Sequence, residues 1–201
     1  MISQPPILKG RTVRLEPLSR EHVEGLYAIA TASPTIFRYT STPVTPEERE
    51  TYFAKVFDDQ AAGRALPFAM VDAGNDRLIG TTRLTDLELT LRNCELGYTW
   101  FEPAYFGGAV NVESKLLLLT YVFETLDLLR VQLNTDARNE HSQAAILALG
   151  AQYEGRLRAH KVVKGGHIRD TLVYSIIYSD WPTVKPRLQE RLAAKLERSG
   201  E

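Results

Sequence analysis

The fold is decided by the stretch CELGYTWFEPAYFGGAVNVESKLLLL, which runs from Cys94 to Leu119. Its opening alternates in polarity as a half-buried strand does, with Leu96, Tyr98 and Trp100 on one face. The stretch then passes through a pair of glycines into a segment in which apolar residues recur at helical spacings of four and three. This segment predicts a helix that is apolar nearly all round and packs in the core against a sheet. Its apolar stripe consists of Val112, Leu116, Leu119, Phe123 and Leu126.

A second strand, LLRVQLNTDA, follows this helix from Leu128 to Ala137. Two strands of one sheet that are joined by a helical crossover lie parallel to each other. The unit from Cys94 to Ala137 therefore predicts one parallel pair of strands inside an otherwise antiparallel sheet. We accordingly predict a mixed α/β protein.

The remaining elements are marked by their ends as well as by their periods. Thr45-Pro46 begins a helix that is expected to run to about Gln60. Asn139 is expected to cap a short helix that ends at Gly150. Further predicted elements are a strand over 11–18, a helix after Ser19, antiparallel strands over 65–74 and 77–89, and a final hairpin that turns at Gly165-Gly166. Residues 1–10 are expected to form a lead-in and residues 183–201 a charged amphipathic tail.

The composition limits the classes of function. A chain of 201 residues with 44% hydrophobic content fits a single domain over 1–201 with a substantial core. A net charge of −1 argues against tight binding to nucleic acid or to a membrane surface, and no apolar run is long enough to span a membrane. Cys94 is the only cysteine, so no internal disulfide can form. With no signal peptide visible, we expect a cytoplasmic protein, and we expect no metal site.

The glycine pair Gly107-Gly108 lies just before the apolar helix. The first amides of a helix lack intrahelical partners and carry partial positive charge, so a phosphate could approach the backbone there. Asn111 is a candidate cap for this helix. The alternative is a tight turn that needs glycine for its geometry alone. The segment contains neither GxxxxGK[ST] nor GxGxxG, which disfavours a nucleoside triphosphatase and a dinucleotide-binding fold.

The order of elements resembles the GNAT acetyltransferase fold, and more narrowly its RimJ/RimL-like branch. The resemblance covers nearly the whole chain and is carried by LKGRTVRLEPLS, ELGYTWFEPAYFGGAVNVES, NTDARNEHSQAAILALGAQYEGRLR and HIRDTLVYSIIYSDWP. It implies helices on both faces of the sheet and a central parallel pair of strands that splays apart. It also implies acetyl-CoA as the acetyl donor, with the pyrophosphate held by the glycine loop.

The resemblance also implies which residues bind the donor. The family pattern [QR]xxGx[GA] falls on Phe106, Gly107, Gly108, Ala109, Val110 and Asn111. Phe106, Ala109 and Asn111 depart from it, and Gly107 and Gly108 could restore the room that Ala109 removes. The pantetheine arm would be bound by Trp100 and Phe101 of the first splayed strand, by Asn134 of the second, and by Asn139.

Acetyl transfer to an amine requires that the attacking nitrogen lose a proton and that the leaving thiolate gain one. On the resemblance, Ser142 is the candidate general acid and Glu154 the candidate base, with Glu95 as the second candidate base. The alternatives are a first-turn serine bonded to the backbone for Ser142 and a salt-bridged strand face for Glu154. Cys94 is not expected to act as a nucleophile, because it lies outside any Cys–His setting.

These observations lead to one main hypothesis and two alternatives. We predict direct transfer of an acetyl group from acetyl-CoA to a primary amine, on a small molecule or on the α-amine of a protein or peptide. The alternatives are an inactive acyl-CoA-binding or protein-interaction module of the same fold, and an unrelated phosphate-binding α/β protein. The closing strand and the tail could form a homodimer contact.

Overall fold

The computed structural model of the protein describes residues 5–199. Its strands form one eight-stranded sheet in the order β1-β2-β3-β4-β5-β6-β8-β7. The strands are β1 Leu8–Lys9, β2 Val13–Pro17, β3 Leu66–Asp72, β4 Leu78–Glu88, β5 Asn93–Phe101, β6 Arg130–Asp136, β7 Gln152–Val163 and β8 His167–Ile177. The α-helices are α1 Val23–Ala32, α2 Pro46–Ala61, α3 Ala109–Thr120, α4 Glu140–Leu147 and α5 Trp181–Ser199. Thr45 and Asn139 cap α2 and α4 as predicted.

The sheet carries helices on both faces, and a separate apolar cluster fills the space under each layer. On one face, α3 and α5 cover a core that includes Phe68, Leu96 and Leu118. On the other face, α1 and α2 cover a smaller cluster that includes Leu26 and Trp100. This arrangement confirms the predicted α/β class and the helices on both faces of a mostly antiparallel sheet.

β5 and β6 are the parallel pair, and they separate soon after they meet. Their pairing comprises Asn93 with Arg130, Cys94 with Val131, and Glu95 with Gln132. Beyond these pairs β5 continues to Phe101 and β6 to Asp136 without pairing to each other. The carboxyl-terminal halves of the two strands therefore splay apart, as the resemblance implied, and leave an opening in the middle of the sheet.

β5 contains a bulge at Tyr98, where the backbone φ is 51°. Tyr98 and Thr99 together lie opposite the single residue Thr82 of β4. The extra residue reverses the alternation of side chains, so that Leu96 packs on the α3 side and Trp100 on the α1–α2 side. The prediction that Leu96, Tyr98 and Trp100 share one face is therefore wrong, because a period of two does not allow for a bulge.

α3 begins earlier than its sequence pattern suggests. The capping position is Gly108 and the first helical residue is Ala109, so the prediction of Asn111 as the cap is wrong. The helix is largely buried, as its apolar stripe predicted, but its buried residues include Glu113 and Lys115. The stripe alone did not predict that two charged side chains of this helix lie in the interior.

The final hairpin folds back over the α1–α2 side of the sheet. Gly165 and Gly166 form its turn with φ values of 70° and 74°, which confirms the predicted turn. The ammonium group of Lys164, beside this turn, donates to the carbonyl oxygen of Thr42 and lies 2.9 Å from a carboxylate oxygen of Glu48. These contacts join the hairpin to the segment that leads into α2. The hairpin and this segment therefore lie together on the α1–α2 side of the sheet.

Toward both ends of the described chain, regular secondary structure extends further than the sequence analysis expected. The short strand β1 lies inside the expected lead-in, whereas residues 1–4 lie outside the described part. The expected tail lies within α5, which packs on α3 and buries Val184 and Leu188 in the core, while Trp181 at the start of α5 packs on Phe123. Among residues 5–199, no helix combines the length and the hydropathy needed to cross a bilayer.

Candidate active site

The opening between β5 and β6 is flanked by the amino-terminal ends of α3 and α4. Phe106, in the loop before α3, makes an edge contact with Phe101 at a centroid distance of 5.2 Å. It also stacks on His141 of α4 at a centroid distance of 5.9 Å. The Phe106 ring therefore bridges the end of β5 and the first turn of α4. An aromatic ring at this position, where the family pattern has a polar residue, narrows the approach to the opening.

The glycine loop has the geometry that an anion site needs. Gly107 has a φ of 75°, and a Cβ added there would meet nothing within 4 Å, so the space beside its backbone is open. Gly108 caps α3, and Ala109 and Val110 are buried in the first turn of that helix. Asn111 lies in the same turn, where its carbonyl oxygen accepts a 2.9 Å hydrogen bond from the hydroxyl of Ser114.

Sequence reasoning missed a cation beside this loop. The ammonium group of Lys195, on α5, donates to the carbonyl oxygen of Gly107. Burial lowers its pKa, and the neighbouring charges of Arg191 and Arg198 lower it further. These three residues follow one another at spacings of four and three, so they share one side of α5. That spacing was a visible signal, but only the packing of α5 places Lys195 next to the glycine loop, whereas Arg191 donates to the carbonyl oxygen of Ala148.

The first turn of α4 presents two polar groups without partners. The side-chain oxygen of Asn139 accepts a 3.1 Å hydrogen bond from the amide of Ser142, which confirms Asn139 as the cap. Within residues 5–199, neither the hydroxyl of Ser142 nor the side-chain nitrogen Nδ2 of Asn139 has a hydrogen-bond partner. Both groups are therefore available to a ligand that enters the opening. The assigned functions of Asn139 and Ser142 stay predictions.

Glu95 lies where β5 and β6 begin to separate. Its carboxylate accepts a 2.6 Å hydrogen bond from the side-chain amide of Asn134, across the opening. Burial raises the pKa of Glu95, and the hydrogen bond from Asn134 offsets this only in part. The carbonyl oxygen of the Asn134 side chain is buried and has no partner within the described residues. Together the two side chains offer a base and a hydrogen-bond acceptor in the same place.

Glu154 lies on the same face of the sheet but in a different setting. Its carboxylate lies 2.6 Å and 2.5 Å from the two terminal nitrogens of Arg130, and it accepts a 2.6 Å hydrogen bond from Ser175. These contacts, chiefly the hydrogen bond from Arg130, lower the pKa of Glu154 to about 2. Arg130 precedes Asn134 by four residues on β6, which corresponds to about 13 Å along the strand. The structure therefore brings Asn134 to Glu95 and places Glu154 toward the paired end of the two strands.

The side chains of the other proposed donor-binding residues lie in the core. The indole nitrogen of Trp100 donates a 3.1 Å hydrogen bond to the hydroxyl of Tyr52, on the α1–α2 side. Phe101 packs on the opposite side, in the cluster covered by α3. Only the backbone of these two residues borders the opening. This suits a strand that offers main-chain groups to a ligand, and their binding function stays a prediction.

Lys115 is a second charged residue that the sequence analysis missed. Its ammonium group donates to the hydroxyls of Thr99 and Thr82, at 2.5 Å and 3.3 Å, beneath the bulge of β5. Burial lowers the pKa of Lys115 to about 7. The lysine therefore links α3 to the strand that borders the opening.

Cys94, by contrast, is buried, and burial raises its pKa to about 12, so it cannot supply a thiolate nucleophile at neutral pH.

A surface cavity of about 390 Å³ lies beside the first turn of α4. It is bounded by the segment between α1 and α2 and by the start of α4. Its lining consists of Thr35, Ile36, Arg38, Tyr39, Arg138, Asn139, Glu140 and His141. Arg38 and Arg138 both stack on the ring of Tyr39, at 4.7 Å and 4.9 Å from its centroid. The cavity thus gives the α1–α2 side of the site a partly cationic approach.

Comparison with known proteins agrees with this geometry. The model of the acetyltransferase (GNAT) domain matches residues 12–152 of the chain. The chain is 30% identical over 139 residues to a Bacillus subtilis (strain 168) protein named "Putative ribosomal N-acetyltransferase YdaF", an alignment that covers 68% of this chain and 74% of that protein. A crystal structure of a GCN5-related N-acetyltransferase from Brucella melitensis superposes with a TM-score of 0.83 at 29% identity, covering 93% of this chain and 85% of that chain.

A further solved structure shares the fold at lower identity. RimJ of Mycobacterium smegmatis, solved in complex with CoA-disulfide, superposes with a TM-score of 0.76 at 20% identity, and the match covers 94% of this chain and 92% of that chain.

The fold and the family match define the protein as an N-acetyltransferase. The chain belongs to the GNAT acetyltransferase family, and within it to the RimJ/RimL-like branch. The resemblance stated from the sequence is therefore confirmed both for the family and for the branch.

Proposed function

We propose that this protein transfers the acetyl group of acetyl-CoA directly to a primary amine at the opening between β5 and β6. The observation that carries the proposal is the pairing of Glu95 with Asn134 across this opening. It places a partly buried carboxylate at the point where the strands separate. There, a thioester bound along β5 and an amine on the α1–α2 side would meet.

Groups at the carboxyl-terminal ends of β5 and β6 would hold the donor along its length, from its phosphates to its thioester. The open backbone at Gly107 and Gly108, the amides of the first turn of α3 and the ammonium of Lys195 suit the pyrophosphate. The unpaired edges of β5 and β6 suit the amide groups of pantetheine, with Asn139 as an additional partner. The Phe106 ring, stacked on His141, would lie beside the donor where the loop meets the first turn of α4.

We assign the base to Glu95 in preference to Glu154. A base must be near the operating pH to accept a proton efficiently, and burial moves the pKa of Glu95 upward toward that range. Glu154 has a pKa of about 2 and is already neutralised by Arg130, so it is a weak proton acceptor. Glu95, directly or through a water molecule, would take the proton that the amine must lose.

The reaction follows as one exchange of bonds. The amine nitrogen attacks the thioester carbonyl carbon and forms the new C–N bond, while the C–S bond breaks. The proton released from nitrogen passes to Glu95, and the hydroxyl of Ser142 gives a proton to the departing thiolate. Glu95 then returns its proton through water to the Ser142 oxygen, so that both side chains regain their starting states. The products are an N-acetylated amine and free CoA. Cys94 is buried and protonated, so it does not take up the acetyl group, and the transfer proceeds without an acetyl-cysteine intermediate.

The acceptor class is open to several primary amines, and we propose that it includes the α-amine of a protein or peptide. The name of the Bacillus subtilis relative supports this class, since that protein is named for a ribosomal substrate. The cavity beside α4 supports it as well, because it is open to the surface and could admit an extended chain.

The test compares Glu95→Gln with Glu154→Gln, two isosteric changes on one face of the sheet. We expect Glu95→Gln to lower kcat by about 10²- to 10⁴-fold, with the KM for acetyl-CoA nearly unchanged. Glu154→Gln should leave kcat within a few-fold, provided that the variant is folded. Equal kcat values for wild type and Glu95→Gln would refute the assignment. Binding of acetyl-CoA without acetylation of any amine would instead favour an inactive module.

A further inference from the structure

The α1–α2 side of the opening holds an arginine that no carboxylate neutralises. Arg83 is only 5% exposed. Its guanidinium carbon lies 3.9 Å from the centroid of the Tyr98 ring and 4.7 Å from that of the Tyr52 ring. Within residues 5–199, Arg83 forms neither a hydrogen bond nor an ion pair. Its contacts are therefore with aromatic rings, and its N–H groups can donate to a planar anion.

A second arginine from the final hairpin has an unused donor in the same region. The Nε of Arg169 is buried and has no hydrogen-bond partner within the described residues. Burial lowers the pKa of Arg169, and the charges of Asp136, Glu95 and Tyr98 are close enough to shift it in the opposite direction. A buried donor without a partner costs free energy, so its persistence needs an explanation. A ligand that accepts its hydrogen bond would provide one.

The strand register places Arg83 near the proposed base, and the charge of Arg169 is close enough to interact with that of Glu95. Arg83 of β4 lies opposite Gly97, and Thr85 lies opposite Glu95, so Arg83 and Glu95 are diagonal neighbours on one face. Diagonal neighbours in an antiparallel pair are about 7–8 Å apart at the backbone. Gly97 lies between them, and a Cβ added there would be 3.2 Å from Oε1 of Glu95, so the missing side chain leaves room for the Glu95 carboxylate on this face. The unpaired carbonyl oxygen of Asn134 lies beside Glu95 on the other strand.

We propose that the acceptor is an amine that carries a carboxylate within a few bonds of the reacting nitrogen, with the amine at Glu95 and Asn134 and the carboxylate at Arg83 and Arg169. The inference rests on the proposed function and adds the charge of the substrate to it. The matching ligand is a free amino acid or a peptide that begins with an acidic residue. Polyamines are disfavoured, because their second ammonium group would lie against two guanidinium groups.

The wild-type enzyme decides the question with matched acceptors. Initial rates are measured with acetyl-CoA and each of a set of free amino acids, and then with the corresponding amino-acid amides. Peptides that begin with Asp or Glu are compared with the same peptides beginning with Asn or Gln, and spermidine serves as a cationic acceptor. Amidation lowers the pKa of the α-amine and leaves more of it unprotonated, so intrinsic reactivity favours the amides. We expect kcat/KM to be at least about tenfold higher for the carboxylate member of each productive pair.

Variants then locate the selectivity. Arg83→Gln should raise the KM of the carboxylate substrate about tenfold or more and change the KM of its amide less than about threefold. Arg169→Gln should act in the same direction, which protects the test if Arg83→Gln folds poorly. Arg64→Gln is the matched control, since Arg64 is exposed at the end of α2 and pairs with Asp59. It should leave both KM values unchanged.

Each outcome has a distinct meaning. Selectivity for free amino acids, or for acidic peptides alone, supports the proposal and identifies the source of the carboxylate. Equal or faster turnover of amides and spermidine by the wild-type enzyme overturns this inference and leaves the proposed function intact. No turnover of any amine, by folded protein that binds acetyl-CoA, overturns the proposed function and this inference with it.

Discussion

Glu113 anchors the helix that carries the glycine loop, and its removal should cost most of the attachment between α3 and the first strands. One carboxylate oxygen accepts from the amide of Arg11 at 2.7 Å. The other accepts from the amide and hydroxyl of Thr12, both at 2.6 Å, and from the amide of Val13 at 3.1 Å. A Cβ at Gly10 would lie 2.5 Å from the Glu113 carboxyl carbon, so the tight turn before β2 needs glycine there.

The loss of stability expected for Glu113→Gln follows from these contacts. The substitution replaces one acceptor oxygen by an NH₂ group and removes the charge from the other. Hydrogen bonds to charged groups contribute about 1.5–3 kcal/mol and neutral ones about 0.5–1.5 kcal/mol. Losing one bond and weakening three by about 1–1.5 kcal/mol each costs about 4.5–7.5 kcal/mol, and relief from burying an ion offsets roughly half of that. We expect the free energy of unfolding to fall by about 3 kcal/mol, and Tm to fall by about 6–12 °C.

The assay is urea unfolding followed by circular dichroism, with Tm from calorimetry. Thr12→Val removes only the hydroxyl donor to the charged carboxylate and should cost about 1.5–3 kcal/mol. Glu190→Gln, at an exposed position on α5, is the control and should change stability by less than about 0.5 kcal/mol. A Glu113→Gln protein within 1 kcal/mol of the wild type would refute the reasoning, because the four hydrogen bonds would then be replaceable.

Two further predictions concern buried and anion-binding lysines. Burial lowers the pKa of Lys115 from 10.5 to about 7, so between these values the unfolded chain binds a proton that the folded chain has lost, and stability rises with pH. Lys115→Met should therefore increase Tm relative to the wild type more at pH 6 than at pH 9, whereas a constant difference across this range would contradict the assignment. Lys195→Gln should raise the Kd of CoA about threefold to tenfold, more at low salt than at high salt, with Lys55→Gln unchanged. An unaltered Kd, measured by calorimetric titration, would remove Lys195 from the donor site.

Local sequence patterns predicted most of the secondary structure, because helix and strand periods depend on residues close together in the chain. The apolar run after Gly108, the cap at Asn139 and the turn at Gly165-Gly166 all follow from such short-range chemistry. The parallel pair of β5 and β6 was also predictable, because two strands of one sheet that are joined by a helical crossover lie parallel to each other. The family motifs added the splay of that pair.

The tertiary structure decided which of the candidate groups meet. The bulge at Tyr98 sends Trp100 to the opposite face, and it arises from the register between β4 and β5 rather than from the composition of β5. Glu154 and Glu95 are the same residue type, and residue type alone does not indicate which carboxylate can act as a base. Only long-range contacts bind the first to Arg130 and bury the second beside Asn134. Charge, burial and protonation depend on neighbours that are distant in the chain, so they become readable only when the sheet is assembled.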